Sequence, residues 1–291
     1  MMKGQTLSDC SVPTGEIRGP LQCTGERMVP ELTGASTFWA HVRRYQFATR
    51  FVKGRRVLDV ASGEGYGAYA LQLAGASQVV GVDVSESVCQ HASAKYGLDV
   101  RCSDATALPL DDQSIDVIVS FETIEHIPQP SDFLAECLRV LKGDGLLVIS
   151  TPDRDVYSEN GHHNEFHCSE MSKTEFTAFL TQYFQTVTMF SQVIQSAPWW
   201  NLASLTAINS PWCRVRGFYR LRRRLLRLAA SDIEECRQHP ERAILASEGF
   251  LTRLFDPNHV RSVPASNAER AKYYVAVCRT KRDPITFFGR Q

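Results

Sequence analysis

The sequence predicts an α/β fold in which helices cover both faces of a parallel sheet. Three observations carry that prediction. Apolar runs alternate with helical patterns from residue 56 to residue 192. The runs at 56–60, 114–121 and 145–151 are apolar almost throughout, as a strand buried on both faces must be. The first run ends in VLDVASGEGYGAYAL (57–71), where three glycines at alternate positions lead straight into a helix.

Taken in order, STFWAHVRRYQFATRFV (36–52) reads as an amphipathic helix entered through Ser36 or Thr37 as N-cap. RVLDV (56–60) is a strand and GAYALQLA (67–74) a helix; QVVGVDV (78–84) is a strand and ESVCQHASAKY (86–96) a helix. LDVRC (98–102) and SIDVIVSF (114–121) are strands, and PSDFLAECLRVL (130–141) is a helix. GLLVIST (145–151) is a strand, KTEFTAFLTQYF (173–184) a helix and TVTMFSQ (186–192) a strand. The rhythm breaks over 193–271, and KYYVAVCRT (272–280) is the last clear strand, the seventh. Right-handed crossovers between parallel strands make this a doubly wound sandwich.

Residues 1–35 form a loose arm whose first 25 residues are rich in Gly, Pro, Ser and Thr, and 281–291 are a tail. Lys plus Arg equal Asp plus Glu at 32 each, so no general attraction to nucleic acid is expected. The nine cysteines are odd in number and no CxxC occurs, which argues against a disulfide framework or zinc ribbon and fits a reducing cytoplasm. The N-terminus has no apolar core of a signal peptide, and no apolar run approaches the roughly 18 residues of a membrane span.

The glycines have a physical reason. A sharp strand-to-helix turn brings backbone N–H groups close to a ligand, and side chains there would block the approach, so Gly63, Gly65 and Gly67 keep it open. Taken alone, the pattern serves equally well as a tight turn with no ligand. Asp83 changes the balance: it ends the second strand 20 residues beyond Gly63, the separation at which a carboxylate reaches ribose hydroxyls. Asp59 and Glu64 flank the turn, and two carboxylates would repel a pyrophosphate; they suit a cationic donor such as S-adenosylmethionine better than a nicotinamide dinucleotide. Asp104, beyond the third strand, can accept from an adenine amino group between the apolar Ala105 and Leu108, or it can simply build a turn with Ser103.

VLDVASGEGYG, GVDVS, CSDATALPL, DVIVSFETIEHI and LKGDGLLVISTP, in that order, resemble the class I S-adenosylmethionine-dependent methyltransferases. The resemblance implies a Rossmann-like sheet of seven strands, mostly parallel with KYYVAVCRT antiparallel, preceded by a helical insertion at 193–271 that acts as a lid. The methyltransferase domain is then 36–280. It further implies S-adenosyl-L-methionine as cofactor: Asp83 on the ribose, Gly63 and Gly65 along the methionine moiety with Asp59, Ala61 and Val84 beside them, and Asp104 with Ala105 around the adenine. CTGERMVPE (23–31), HVRRYQFA (41–48) and STPDRDVYSENGHHNEFHCSEMSKTEF (150–176) resemble a bacterial subgroup linked to glycan, lipopolysaccharide or secondary-metabolite modification. By that resemblance Glu26, Arg44 and Tyr45 cover the cofactor.

Methyl transfer from a sulfonium needs chiefly a well-placed acceptor, and a hydroxyl acceptor also needs a base. FETIEHI follows the fourth strand at the edge where ligands bind, so His126 leads as base, with Glu122 and Glu125 beside it. His167 is the second candidate, and Glu122 is placed both with the base and beside the cofactor. His162, His163 and His167 with Glu165 and Glu170 could in principle hold an ion, but neither H-E-x-x-H nor a ligand-dense carboxylate pattern occurs, so no metal is expected.

Residues 211–230, PWCRVRGFYRLRRRLLRLAA, carry seven arginines with Phe218, Leu221, Leu225 and Leu228 at helical spacing. Three readings stay open: a lid helix with solvated or paired arginines, peripheral contact with an anionic membrane, and a grip on the phosphates of a lipid- or nucleotide-linked sugar. The expected activity is O-methylation of a sugar or glycan-related hydroxyl, in polysaccharide biosynthesis. The alternative is N- or O-methylation of another small metabolite such as a quinone precursor, polyketide or amine.

Overall fold

The computed structural model describes residues 27–30, 32–157, 164–194, 237–245, 258–262 and 271–280. Glu26, His162, His163, the arginine-rich segment 211–230 and the tail 281–291 lie outside the described residues.

The chain runs α1 (Ala35–Ala48), β1 (Arg56–Val60), α2 (Tyr66–Leu73), β2 (Gln78–Asp83), α3 (Glu86–Tyr96), β3 (Asp99–Cys102), β4 (Ile115–Phe121), α4 (Pro130–Val140), β5 (Leu141–Pro152) and α5 (Arg154–Tyr157). It continues through α6 (Lys173–Leu180), β6 (Thr186–Ile194), α7 (Pro240–Leu245), β7 (Asn258–Ser262) and β8 (Tyr273–Arg279). The strands form one sheet in the order β3-β2-β1-β4-β5-β8-β6-β7. β1 pairs in parallel with both β2 and β4, and β5 continues the parallel set. β8 inserts antiparallel between β5 and β6, as expected of the closing strand.

Two features differ from the sequence expectation. Among the described residues the sheet has eight strands, because β7, inside the insertion before the last strand, pairs antiparallel with β6. That insertion is therefore not purely helical: its described part holds both α7 and β7. The first helix starts at Ala35 after an extended Gly34 with no side-chain cap, so neither Ser36 nor Thr37 supplies one.

Strand residues alternate between two cores, which is why the central strands read as continuously apolar. Leu58, Val60, Ile118, Leu147 and Ile149 pack with Phe133, Leu134, Phe176 and Leu180 from α4 and α6. Val57, Val117, Val119 and Val148 pack with Phe38, Val42, Phe47 and Leu71 from α1 and α2. The strand order reverses at β1, so the carboxyl ends of β1, β2 and β4 open onto one crevice.

Candidate active site

A cleft of about 650 Å³ lies at that edge, within the size range of small-molecule sites. Its wall is built first by the β1–α2 turn. Ala61 (φ 58°) and Gly63 (φ 55°) both take the left-handed region, and Glu122, just after β4, does so too (φ 54°). Two neighbouring strands thus each end on a strained non-glycine residue facing the crevice, a cost that the surrounding packing must sustain. No sequence signal marks Ala61 or Glu122 for that conformation.

The three glycines turn out to have three different neighbours. A Cβ on Gly63 would meet nothing closer than Arg27 Cγ at 3.9 Å, so its open face belongs to the cleft. A Cβ on Gly65 (φ 95°) would lie 2.7 Å from Ala92 Cβ, and one on Gly67 would overlap the Tyr45 ring. Gly65 and Gly67 therefore serve close packing against α3 and α1, and Gly65 does not line the cleft.

Asp83 ends β2 with its carboxylate fixed from two sides. The Gly63 and Ser85 backbone N–H groups each donate to one of its oxygens at 3.0 Å. Each oxygen keeps acceptor capacity toward the cleft, which Asp83 lines with Val84, 72% exposed. Asp104 accepts from the Thr106 backbone N–H (2.8 Å) and hydroxyl (2.7 Å) through one oxygen, and these bonds hold its carboxyl below the ordinary range. The turn reading is thus present, while Asp104 and Ala105 still line the cleft.

The electrostatic argument against a pyrophosphate does not survive the side-chain directions. Glu64 is buried, and its carboxylate is engaged by α3 through Lys95 Nζ (2.5 Å), Tyr96 Oη (2.8 Å) and His91 Nε2 (3.3 Å). Asp59 lies beneath the turn, does not line the cleft, and accepts from the Tyr45 hydroxyl at 3.2 and 3.1 Å. Burial pushes its carboxyl up to about 8, opposed by the Tyr45 hydrogen bond and reinforced by the charge of Asp83. Neither group is a free anion beside the ligand.

Arg44 and Tyr45 sit on α1. Tyr45 lines the cleft. Arg44 is fully buried behind it, donating to Gln192 Oε1 (2.9 Å) on β6, stacking 4.6 Å from the Tyr273 ring on β8 and lying 4.0 Å from Glu122. His41 also lines the cleft, and burial with the nearby Arg44 charge lowers its pKa well below the ordinary value. The i, i+3, i+4 spacing of His41, Arg44 and Tyr45 puts all three on one helix face, the signal by which His41 could have been found.

Next along this edge of the sheet, a 3-10 turn (Ile124–His126) follows β4. His126 Nδ1 lies 3.1 Å from the Phe166 carbonyl oxygen, and its ring meets the His167 ring edge-on at 4.8 Å. His167 Nδ1 lies 2.6 Å from Glu170 Oε1. Glu122 accepts from the Ser150 hydroxyl at 2.8 Å. Glu125 is buried; the Thr151 hydroxyl donates to one of its oxygens at 3.3 Å and the other has no hydrogen-bond partner among the described residues. Burial, and then the charge of Glu122, raise its carboxyl well above the ordinary range. His126, His167, Glu122 and Glu125 all line the cleft. So do Tyr157 at the end of α5, Asn164 in the segment after it and Tyr273 at the start of β8, which sequence reasoning missed because their approach to this edge is set by tertiary packing and not by a local motif.

Residues 58–149 match the family model of a methyltransferase domain. A protein of Mycolicibacterium smegmatis described as a "probable S-adenosylmethionine-dependent methyltransferase" is 36% identical over 173 residues, 58% of this chain and 66% of its own length. A "ubiquinone biosynthesis O-methyltransferase" of Coxiella burnetii is 37% identical over 109 residues, 36% of this chain and 46% of that protein. The match thus spans just under two thirds of the first relative and about half of the second. A solved structure from Thermotoga maritima, described as a SAM-dependent methyltransferase and "possible histamine N-methyltransferase", superposes with a TM-score of 0.54 at 18% identity, covering 84% of this chain and 90% of that one. At that identity the likeness is one of fold.

Proposed function

This chain carries a methyltransferase domain of Rossmann-like, class I architecture, and we propose that it transfers a methyl group from S-adenosylmethionine to a hydroxyl of a sugar or glycan-related acceptor. One observation carries the reading: the glycine turn with Asp83 and the His126–His167 pair line a single cleft.

The residues fit the donor. Gly63 leaves the space a side chain would fill, Asp83 offers carboxylate acceptors for two ribose hydroxyls, and Val84 presents an exposed apolar surface to a flat base beside Ala105. When bound, the donor supplies a methyl group already activated on a sulfonium, which departs leaving the bond pair on sulfur.

The rest of the work falls to the chain. The Phe166 carbonyl only accepts hydrogen bonds, so the His126 proton sits on Nδ1 and Nε2 carries the lone pair. Glu170, an acceptor, imposes the same tautomer on His167. Either Nε2 can take the hydroxyl proton as the acceptor oxygen forms its new bond to carbon. Glu122, held by Ser150 and near Arg44, is placed to accept from the acceptor's other hydroxyls. The glycan assignment itself leans on the resemblance of the flanking motifs and places the chain in polysaccharide or related sugar modification. A second reading, O-methylation of a phenolic small metabolite, is favoured by the similarity to the Coxiella protein.

Calorimetry with S-adenosylhomocysteine tests the donor. Asp83→Ala should weaken binding by ~1.5–3 kcal/mol, the size of a lost charged hydrogen bond; equal binding by the variant sinks the assigned geometry. Labelled donor with sugar and phenol panels, read by mass spectrometry, tests the acceptor. Label confined to phenols would overturn the sugar assignment.

A further inference from the structure

The His126 side of the cleft holds a group that proton transfer does not use. Glu125 is 1% exposed, and one of its carboxylate oxygens has no hydrogen-bond partner among the described residues. One ligand atom each from Glu125, His126 and His167 lies within 4.8 Å of the other two. These three are not the histidine-rich set 162, 163 and 167 that the sequence brings to mind; the fold gathers them from the turn after β4 and from a loop some 40 residues later. We propose that Glu125, His126 and His167 bind a divalent first-row transition ion, which in turn binds the hydroxyl to be methylated and a neighbouring hydroxyl of the same acceptor. This rests on the reading above and deepens it: donor and acceptor class stay as they are, and with the ion in place the proton-accepting role given there to the imidazoles passes to Glu122.

Four features support the site. The donor set, two imidazoles and a carboxylate, suits Zn²⁺, Co²⁺ or Mn²⁺. Both imidazoles already have the outer partners typical of metal ligands: Nδ1 of His126 faces a backbone carbonyl, and Nδ1 of His167 faces a carboxylate. That arrangement directs ligation to Nε2. The Glu125 oxygen that is unpartnered among the described residues, costly to bury if it stays so, gains a partner. Three protein ligands leave positions open, as catalytic rather than structural sites do. Ligands of one tetrahedral ion stand roughly 3.4 Å apart, so the three groups must draw together by about an ångström, which a short 3-10 turn and a loop can accommodate.

The consequence for the acceptor is specific. An ion that expands from four- to five-coordinate has two positions beside its three protein ligands and chelates vicinal oxygens, so the acceptor class is a vicinal diol, as in a sugar ring. Coordination makes the hydroxyl more acidic. With both imidazoles engaged on the ion, the hydroxyl proton passes to the Glu122 carboxylate and the oxygen keeps its electron pair for the new bond to carbon.

The full chain, freed of metal with a chelator, is titrated with Co²⁺ and with Zn²⁺ by calorimetry and visible absorption. The expected result is one ion per chain, with the Co²⁺ d–d bands of a nitrogen and oxygen site. His167→Ala and Glu125→Gln should each bind at least tenfold more weakly. S-adenosylhomocysteine binding in the same samples reports whether each variant is folded, and His167→Ala, an altered loop residue, decides if Glu125→Gln is not. Ion binding below one per chain, or binding that folded His167→Ala retains, overturns the site. Failure of the wild type to bind S-adenosylhomocysteine would instead overturn the methyltransferase reading, whatever the ion does.

Discussion

Asp59 shows how a motif residue can act without touching a ligand. It is fully buried on the side of the sheet that α1 covers, and the Tyr45 hydroxyl is within reach of both of its oxygens. Burial holds its carboxyl at about 8, so near neutrality it is largely protonated. An unfolded chain would release that proton near pH 4. Asp59 in the folded chain therefore holds a proton between about pH 4 and about pH 8 that the unfolded chain has lost, and its own contribution to stability falls as pH rises through that window. Asp59→Asn keeps an acceptor for Tyr45 and removes the titration. Urea midpoints followed from about pH 5 to about pH 8 should decline in the wild type and stay flatter in the variant. Parallel slopes would mean that Asp59 is ionised in the folded chain. His41 behaves in the opposite sense: its lowered pKa keeps it neutral where the cleft meets Arg44.

The β1–α2 turn is the element on which ligand binding and packing meet, and its glycines separate the two. Gly65→Ala forces a Cβ to within 2.7 Å of Ala92 Cβ at a φ of 95°, so overpacking and strain combine. The expected loss is about 2 kcal/mol or more in denaturant unfolding. Gly63→Ala meets only Arg27 Cγ at 3.9 Å, so it carries the φ cost of roughly 1–2 kcal/mol without a clash, and its larger effect should be on S-adenosylhomocysteine affinity. Equal destabilisation by the two variants would contradict this division. The same turn marks what the sequence could disclose. Strands β1, β4 and β5 were readable because burial on both faces writes itself as an unbroken apolar run. Asp83 was readable because strand length fixes its distance from Gly63. β7 was not: Asn258–Ser262 is short and polar, and it is a strand only because β6 offers it an open edge. The direction of Glu64 was equally hidden, since it depends on Lys95 and Tyr96 one helix away. The meeting of His126 with His167 depends on a returning loop, which no local pattern encodes.

Across the whole molecule, α1 behaves as a clamp between distant strands. Arg44 reaches Gln192 on β6 and Tyr273 on β8, the Gln192 side chain donates back to the Ala40 carbonyl, and Tyr45 reaches Asp59 on β1. The same helix presents Thr37 and His41 to the cleft. The clamp carries a cost, because Arg44 Nε and Nη2 are buried without hydrogen-bond partners among the described residues. Its local opening should therefore lie well below global unfolding, whereas β4 and β5 at the sheet centre should open only globally. A ligand at 100 times its Kd stabilises the bound state by about 2.7 kcal/mol. Hydrogen exchange should thus slow in α1 and in the turn at 61–65 when S-adenosylhomocysteine is added. If Arg44 couples the helix to the cleft, Arg44→Met should raise α1 exchange about tenfold in the free chain and shrink the ligand-dependent slowing there, while the slowing at 61–65 persists. Identical α1 exchange in variant and wild type would show that the helix is held by its apolar face alone, through Phe38, Val42 and Phe47, and that the guanidinium contributes no coupling.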